Sequence, residues 1–319
     1  MSRRKTKKST GRLTWRRLLG GLLAACLLLL LTTAVEQGAL RDLLQAFLPA
    51  PVQQPGFSLH MIDVGLGQAL LLPCGGKHAM GDTGLPGTSN EVVNYLWSHG
   101  VRGLEYLFVT HPHSDHCGGA KDVVERMGTK VLVIPEYLSE EAALATAGDW
   151  VGKTDTPIAI TRAGETFALG EATITVLHPA AENQIDDMND LSLVLKVNYG
   201  GKTMLLTGDI SQTVEEQLLD IGHMDVLQVA HHGSYTSSSA VFLQAISPHY
   251  ALISCGKDND YGHPHDVVLS RLKDAGAAIY RTDETGTLVV HNHEGQISVK
   301  TENKSKYIIF ILQIGVKIP

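Results

Sequence analysis

The sequence predicts a layered α/β domain over residues 57–300. Short apolar runs of strand length alternate there with helical patterns, no repeat period is present, and no low-complexity segment interrupts the stretch. Strand-like runs fall at 57–63, 68–72, 104–109, 130–134, 172–177, 191–198, 203–207, 225–230, 250–254 and 285–291. Helical patterns fall at 89–99, 118–126, 139–147, 212–221, 239–246 and 265–275. The first of these starts beside Thr88 and Ser89, which suit helix caps, and stops at Gly100. A chain of 319 residues, 44% apolar and 18% charged, can bury a full core and reads as globular.

The ends differ from the middle. Residues 1–17 carry eight basic side chains (Arg3, Arg4, Lys5, Lys7, Lys8, Arg12, Arg16, Arg17) and no acidic one. That leaves 18 of the 26 basic residues against all 33 acidic ones, a balance of −15 for the remainder. Leu18 to Val35 holds no charge and is dominated by leucine. It is close to the roughly 20 residues a bilayer-spanning helix needs. Basic residues stay on the cytoplasmic side, so the tail is expected inside and the domain outside. An uncleaved anchor is favoured, because no A-x-A site follows the run; a cleaved signal peptide has the same layout. Leu23-Ala24-Ala25-Cys26 resembles a lipoprotein processing site but sits in mid-run. Residues 36–56 read as a short helix and a Pro/Gln/Gly linker, and 301–319 as a C-terminal extension of no assigned role. Beyond Cys26 the cysteines are Cys74, Cys117 and Cys255, an odd number with no C-x-x-C pair, which excludes a disulfide framework.

The chemistry lies in Thr110-His111-Pro112-His113-Ser114-Asp115-His116. This run joins a strand to a helix, where side chains can converge without competing for the core. His111 and His113, two apart, can share one metal; Asp115 and His116, a turn further on, can reach a second. Imidazole and carboxylate are ligands that zinc and manganese accept. Two dications side by side need a shared anion, and Asp209 in Thr207-Gly208-Asp209 is the candidate.

T-H-x-H-x-D-H followed by T-G-D resembles the signature of the metallo-β-lactamase superfamily. Ile62-Asp63-Val64-Gly65, Gly81-Asp82-Thr83-Gly84, Asn189 to Leu195, Ala230-His231-His232-Gly233-Ser234 and Tyr261-Gly262-His263-Pro264 narrow the resemblance. Together they look like the extracellular hydrolase domain of the ComEC family of DNA-uptake competence proteins, over about residues 57–292. The resemblance implies an αββα sandwich, here preceded by one transmembrane helix, and a metal-dependent phosphodiesterase or nuclease. It implies two divalent ions, zinc or manganese, held by His111, His113, Asp115, His116, Asp209 and one of His231 and His232. Asp115, His232 and His263 are the catalytic candidates, and Asp82 is expected to support the ligand loop. A metal-activated water would attack the phosphorus, with a histidine protonating the departing oxygen.

The expected partners are a phosphodiester, single-stranded DNA in particular, the membrane through the N-terminal helix, and a separate DNA channel protein. The expected location is the bacterial cell membrane, single-pass, with the catalytic domain extracellular. The chain departs from the family in two places. Asn189-Asp190 stands where many members place a histidine, with His178 as a candidate substitute. Leu66-Gly67-Gln68 replaces a common Q-G-D. The acidic balance favours a rival, a phosphocholine-type esterase of the same superfamily, because DNA binding draws on Lys and Arg contacts. A binding module that keeps the fold is a third reading.

Overall fold

The computed structural model describes residues 56–139, 151, 154–180 and 187–302. All of these belong to one compact unit, residues 52–319. Fifteen strands are found among the described residues, in two sheets. In chain order they are β1 (Phe57–Met61), β2 (Ala69–Cys74), β3 (Lys77–Thr83), β4 (Tyr106–Phe108), β5 (Val131–Pro135), β6 (Ile158–Thr161), β7 (Thr166–Leu169) and β8 (Ala172–His178). Then follow β9 (Val194–Tyr199), β10 (Lys202–Leu206), β11 (Val226–Gln228), β12 (Tyr250–Ile253), β13 (Ala278–Arg281), β14 (Thr287–His293) and β15 (Gln296–Glu302). One sheet has the order β15-β14-β1-β2-β3-β4-β5-β6, the other β13-β12-β11-β10-β9-β8-β7.

Three apolar layers explain why the strands are apolar on both faces. Phe57, Leu59 and Met61 of β1 meet Ile174, Val176, Leu195 and Leu206 between the sheets. Helices α1 (Ser89–Ser98) and α3 (Ala120–Met127) cover the outer face of the first sheet, through Val92, Leu96, Val123 and Met127. Between them in sequence lies the single turn α2 (Ser114–Cys117). The second sheet is covered by α4 (Gln212–Glu215), α5 (Ala240–Ile246) and α6 (Asp266–Asp274), through Val214, Phe242, Val268 and Leu272. A further single turn is α7 (Thr282–Thr285). This is an αββα sandwich. A strand buried on both faces reads as a continuous apolar run, which is how Tyr106–Val109 and Tyr250–Ile253 read.

The sequence reading missed β3, β6, β7, β13 and β15. β7 and β15 largely alternate exposed with half-buried residues, and so lack a strong apolar run, while β6 is only four residues long and exposes Ile158 and Ile160. β3 ends in Gly81-Asp82-Thr83, which reads as a turn in isolation but here continues the strand to its end. β15 carries the domain to Glu302. The predicted helix at 139–147 lies almost wholly outside the described residues.

The expected location is corrected. A span needs about 20 apolar residues in one helix, and no helix among the described residues is long and apolar enough to cross a membrane. The longest, α1, has ten residues. The run at 18–35, on which a single-pass membrane protein with an extracellular domain was expected, lies outside the described residues, as do Cys26, the segment 36–55 and most of the C-terminal extension.

Candidate metal centre

β3, β4, β5 and β6 run parallel, as do β10, β11, β12 and β13. The loops leaving their C-terminal ends meet at one edge of the sandwich, where open α/β sheets ordinarily bind ligands. His111 to His116 follow β4, Asp209 follows β10, His231 and His232 follow β11, and His263 follows β12. Asp82 closes β3.

Asp209 is the hub. Its Oδ2 lies 3.2 Å from His116 Nε2, 3.6 Å from His232 Nε2, and 3.9 Å from both His111 Nε2 and His231 Nε2. Asp115 Oδ2 lies 3.3 Å from His232 Nε2 and 3.9 Å from His116 Nε2. Two triads therefore have donors close enough to hold an ion, His111–His116–Asp209 and Asp115–His116–His232. His113, half-buried, adjoins the first, its Nδ1 3.1 Å from His111 Nε2. The arrangement differs from the pairing that spacing alone suggests: His116 stands between the two groups, because the turn α2 brings it back over the loop.

The sequence left His231 and His232 open, and the structure separates them. His232 is buried, its Nδ1 is 2.8 Å from Ser254 O, and its Nε2 faces the cluster. His231 is more exposed, with Nδ1 3.4 Å from Thr236 Oγ1. Both take left-handed backbone angles, φ 51° and 54°. Such strain in two consecutive non-glycine residues is held only where surrounding structure demands it.

Hydrogen bonds orient the cluster. Asp82 Oδ1 accepts from the Thr110 N–H at 2.9 Å, and its Oδ2 lies 2.7 Å from His116 Nδ1 and accepts from Gln68 Nε2 at 3.0 Å. The neutral Gln68, standing where the family often has a carboxylate, thus donates to Asp82, whereas a carboxylate would face it with like charge. Because Asp82 steers the His116 ring, Asp82→Ala is expected to weaken metal binding about 10- to 100-fold, read by titration against a competing chelator. Unchanged affinity would remove that role.

Two supports escaped the sequence reading. Ser192 Oγ accepts from the Asp209 N–H at 2.9 Å and lies 3.2 Å from His111 Nδ1. Gln228 Oε1 accepts from the N–H groups of Thr207 and Gly208, while its Nε2 donates to the carbonyls of Gly208 and Val229. A serine in a motif and a glutamine at a strand end carry no local signal of such a role.

Asp190 Oδ1 and Oδ2 accept from the Ser211 N–H and O–H, at 2.7 and 2.9 Å. Asn189 faces the cleft, and its buried Oδ1 has no hydrogen-bond partner. His178 Nε2 contacts the Asp190 carbonyl oxygen at 2.8 Å, so it is a strand-end residue fixing that loop. His263 sits at the mouth, its ring stacked on Tyr261 and on His232. Cys117 packs beneath the loop, with Sγ 3.3 Å from Pro112 O. Burial, reinforced by Asp82, pushes its thiol up to about 12, which makes it an inert filler.

The electrostatics suit cations. Burial alone would raise Asp209, but the charges of His116 and His232 hold it well below the usual carboxylate range. Burial also works against Asp115, and the hydrogen bond from His232 overcomes it, so this carboxyl is depressed too. Burial, with His116 beside it, lowers His111 well below the usual imidazole range. Burial likewise opposes charge on His116, yet Asp209 and Asp82 raise it well above that range. Asp209 Oδ1 is buried without a hydrogen-bond partner. A carboxylate with one oxygen among imidazoles and the other buried and unmatched fits a residue that ligates metal. The donor set, imidazole and carboxylate, fits zinc or manganese.

Fold and site together define a class: a metal-dependent hydrolase built on the αββα sandwich. Residues 63–257 match the metallo-β-lactamase superfamily, and the chain belongs to it. It is related to competence proteins. ComE operon protein 3 of Bacillus subtilis (strain 168) is 31% identical over 266 residues, covering 75% of this chain and 34% of that protein. Competence protein ComA of Neisseria gonorrhoeae is 33% identical over 248 residues, covering 76% and 33%. The chain thus spans about a third of the length of these relatives. Among solved structures, the metallo-beta-lactamase fold protein YhfI of Bacillus subtilis shares the fold. Its TM-score is 0.50 at 14% identity, covering 77% of this chain and all of that one.

Proposed function

We propose that the chain is a divalent-metal phosphodiesterase whose substrate is single-stranded DNA. The observation that carries this reading is the Asp209-centred cluster, which opens into a cleft of about 330 Å³ shared with His231, His263 and Tyr261. His111, His113, Asp115, His116, Asp209 and His232 would hold two divalent ions, zinc or manganese, with Asp209 shared between them. Once bound, such ions supply Lewis acidity, lowering the pKa of a water towards neutrality and offsetting charge on phosphoryl oxygens.

The remaining work falls to side chains. The Ser254 carbonyl holds the His232 ring through Nδ1 and leaves Nε2 turned to the cluster. Burial, with His232 and His231 beside it, lowers His263 to about 4, so it is neutral near pH 7. A neutral ring can hydrogen-bond a phosphoryl oxygen, but it has no imidazolium proton to give. His231, the more open of the pair, is likewise lowered by burial below the ordinary imidazole range, so it too would act at the departing oxygen as a neutral hydrogen-bonding ring. Tyr261 and Tyr235 are the exposed aromatic rings at this edge, 64% and 60% accessible, and such rings stack nucleobases with little regard to sequence. The kinship with competence proteins supports DNA as the substrate, delivered by a separate channel protein.

A second reading has its own observation. A cavity of about 640 Å³ adjoins the cleft at Leu66 and Tyr261, and its wall carries Asp63, Asp258, Asp260 and Glu284. An acidic recess beside the metal centre suits a cationic alcohol, as in a phosphocholine ester.

The test compares single-stranded DNA, bis-(p-nitrophenyl) phosphate and phosphocholine esters under one divalent metal. Metal-dependent DNA cleavage is expected, abolished by His113→Ala or His116→Ala and weakened by added salt. Turnover of the choline ester without DNA cleavage at low salt would favour the second reading. Full metal loading without activity on any phosphodiester would leave a binding module.

A further inference from the structure

We propose that His223, Asp225 and His249 form a second site, which takes a divalent transition-metal ion independently of the Asp209 centre. It lies at the other end of the same strands. The Asp209 centre sits where β10, β11 and β12 end, whereas His223 and Asp225 precede β11 and His249 precedes β12. The proposal does not depend on what the first centre hydrolyses.

Asp225 Oδ1 is 3.7 Å from His223 Nε2 and 3.6 Å from His249 Nδ1, and the three donor atoms lie within 4.8 Å of one another. The two imidazole rings are 4.7 Å apart at 63°. Zinc holds nitrogen and oxygen at about 2 Å in a tetrahedron, which sets donors a little over 3 Å apart. Small rotations of two exposed histidines close that difference.

The carboxylate is already aimed. Its Oδ2 accepts from the Thr203 N–H at 2.9 Å and O–H at 3.2 Å, and the Asp225 N–H donates to Thr203 O. Asp225 is thus buried and fixed, with Oδ1 turned towards the imidazoles. Buttressing of this kind is what orients a metal-binding carboxylate. A recess of about 350 Å³, bordered by Asp225, His249 and Tyr250, leaves room for water to complete the coordination.

One group competes. Lys202 Nζ donates to the same Oδ1 at 2.8 Å. A metal must displace that ammonium, which sits on a flexible stem and can turn out to solvent. Two imidazoles and one carboxylate suit zinc, cobalt, nickel or copper, whereas magnesium and calcium prefer oxygen donors.

The test uses the full chain and zinc alone, titrated against a chromophoric chelator. The His223→Ala/His249→Ala variant is expected to bind one zinc equivalent fewer than wild type, while a variant lacking His116 and Asp209 keeps that equivalent. Lys202→Met is expected to tighten this site about fivefold, the scale of one surface ion pair. Copper bound in the His116/Asp209-deficient protein should show two-nitrogen coupling in its electron paramagnetic resonance spectrum, lost with the histidine pair. Equal zinc equivalents in wild type and the double variant would overturn the proposal, as would an affinity unmoved by Lys202→Met. Both histidines are exposed, so the variant should fold; if it does not, His249→Gln alone carries the comparison.

Discussion

Asp209→Ala is expected to strip the protein of most of its divalent metal and to lower hydrolysis on the order of a thousandfold. That figure corresponds to roughly 4 kcal/mol of transition-state stabilisation, within what metal ions supply. The reason is position. One oxygen of Asp209 lies within 4 Å of His111, His116, His231 and His232, so no other residue can take its place between the two triads. The same change acts on the metal-free protein. His116, buried and raised by Asp209 and Asp82 against the effect of burial, would lose one of its two counter-charges. Breaking a buried pair from one side costs about 3 kcal/mol. Elemental analysis and thermal melting of Asp209→Ala and Asp209→Asn would separate these effects. Full metal content in both variants would refute the shared ligand.

Gly67→Ala is expected to cost about 3 kcal/mol or more, by backbone strain and a clash that cannot relax. Gly67 has φ +108°, a conformation that L side chains rarely adopt. A Cβ there would collide with the Asp115 carbonyl oxygen. Retreat is blocked on both sides: the Gln68 N–H donates to that oxygen at 3.0 Å, and Ser254 Oγ donates to Gly67 O at 2.7 Å. The loop after β1 therefore presses directly on the backbone that aims Asp115. For a domain of this size the melting point should fall by about 6–12 °C, with weaker metal binding alongside. Gly65→Ala is the control, since Gly65 has φ +73° but open space around its Cβ position. If both variants melt alike, the close approach is not what holds the loop.

What the sequence alone determined was the ligand run and the alternation of elements around it. Three histidines and an aspartate in six residues cannot be buried cheaply without a purpose, so His111 to His116 stand out wherever they occur. Strands apolar on both faces, such as β4 and β12, are legible for a similar reason, because burial on both sides leaves a continuous apolar run. Edge and hairpin strands such as β7 and β15 expose alternate residues and lose that signal.

Tertiary structure decided everything that depends on residues far apart in the chain. Asp209 meets the histidines only because β10 ends at the same edge as β4, nearly a hundred residues earlier. His232 and His231 differ in setting because only the His232 ring finds the Ser254 carbonyl, and Ser192 and Gln228 matter only because the fold brings them under the Thr207–Asp209 turn. The cluster at His223, Asp225 and His249 is likewise invisible in sequence, since two parallel strands must start side by side before their leading residues meet. A ligand's residue type is a local property of the chain, but its partners and orientation come from packing, and packing is set by contacts between distant segments.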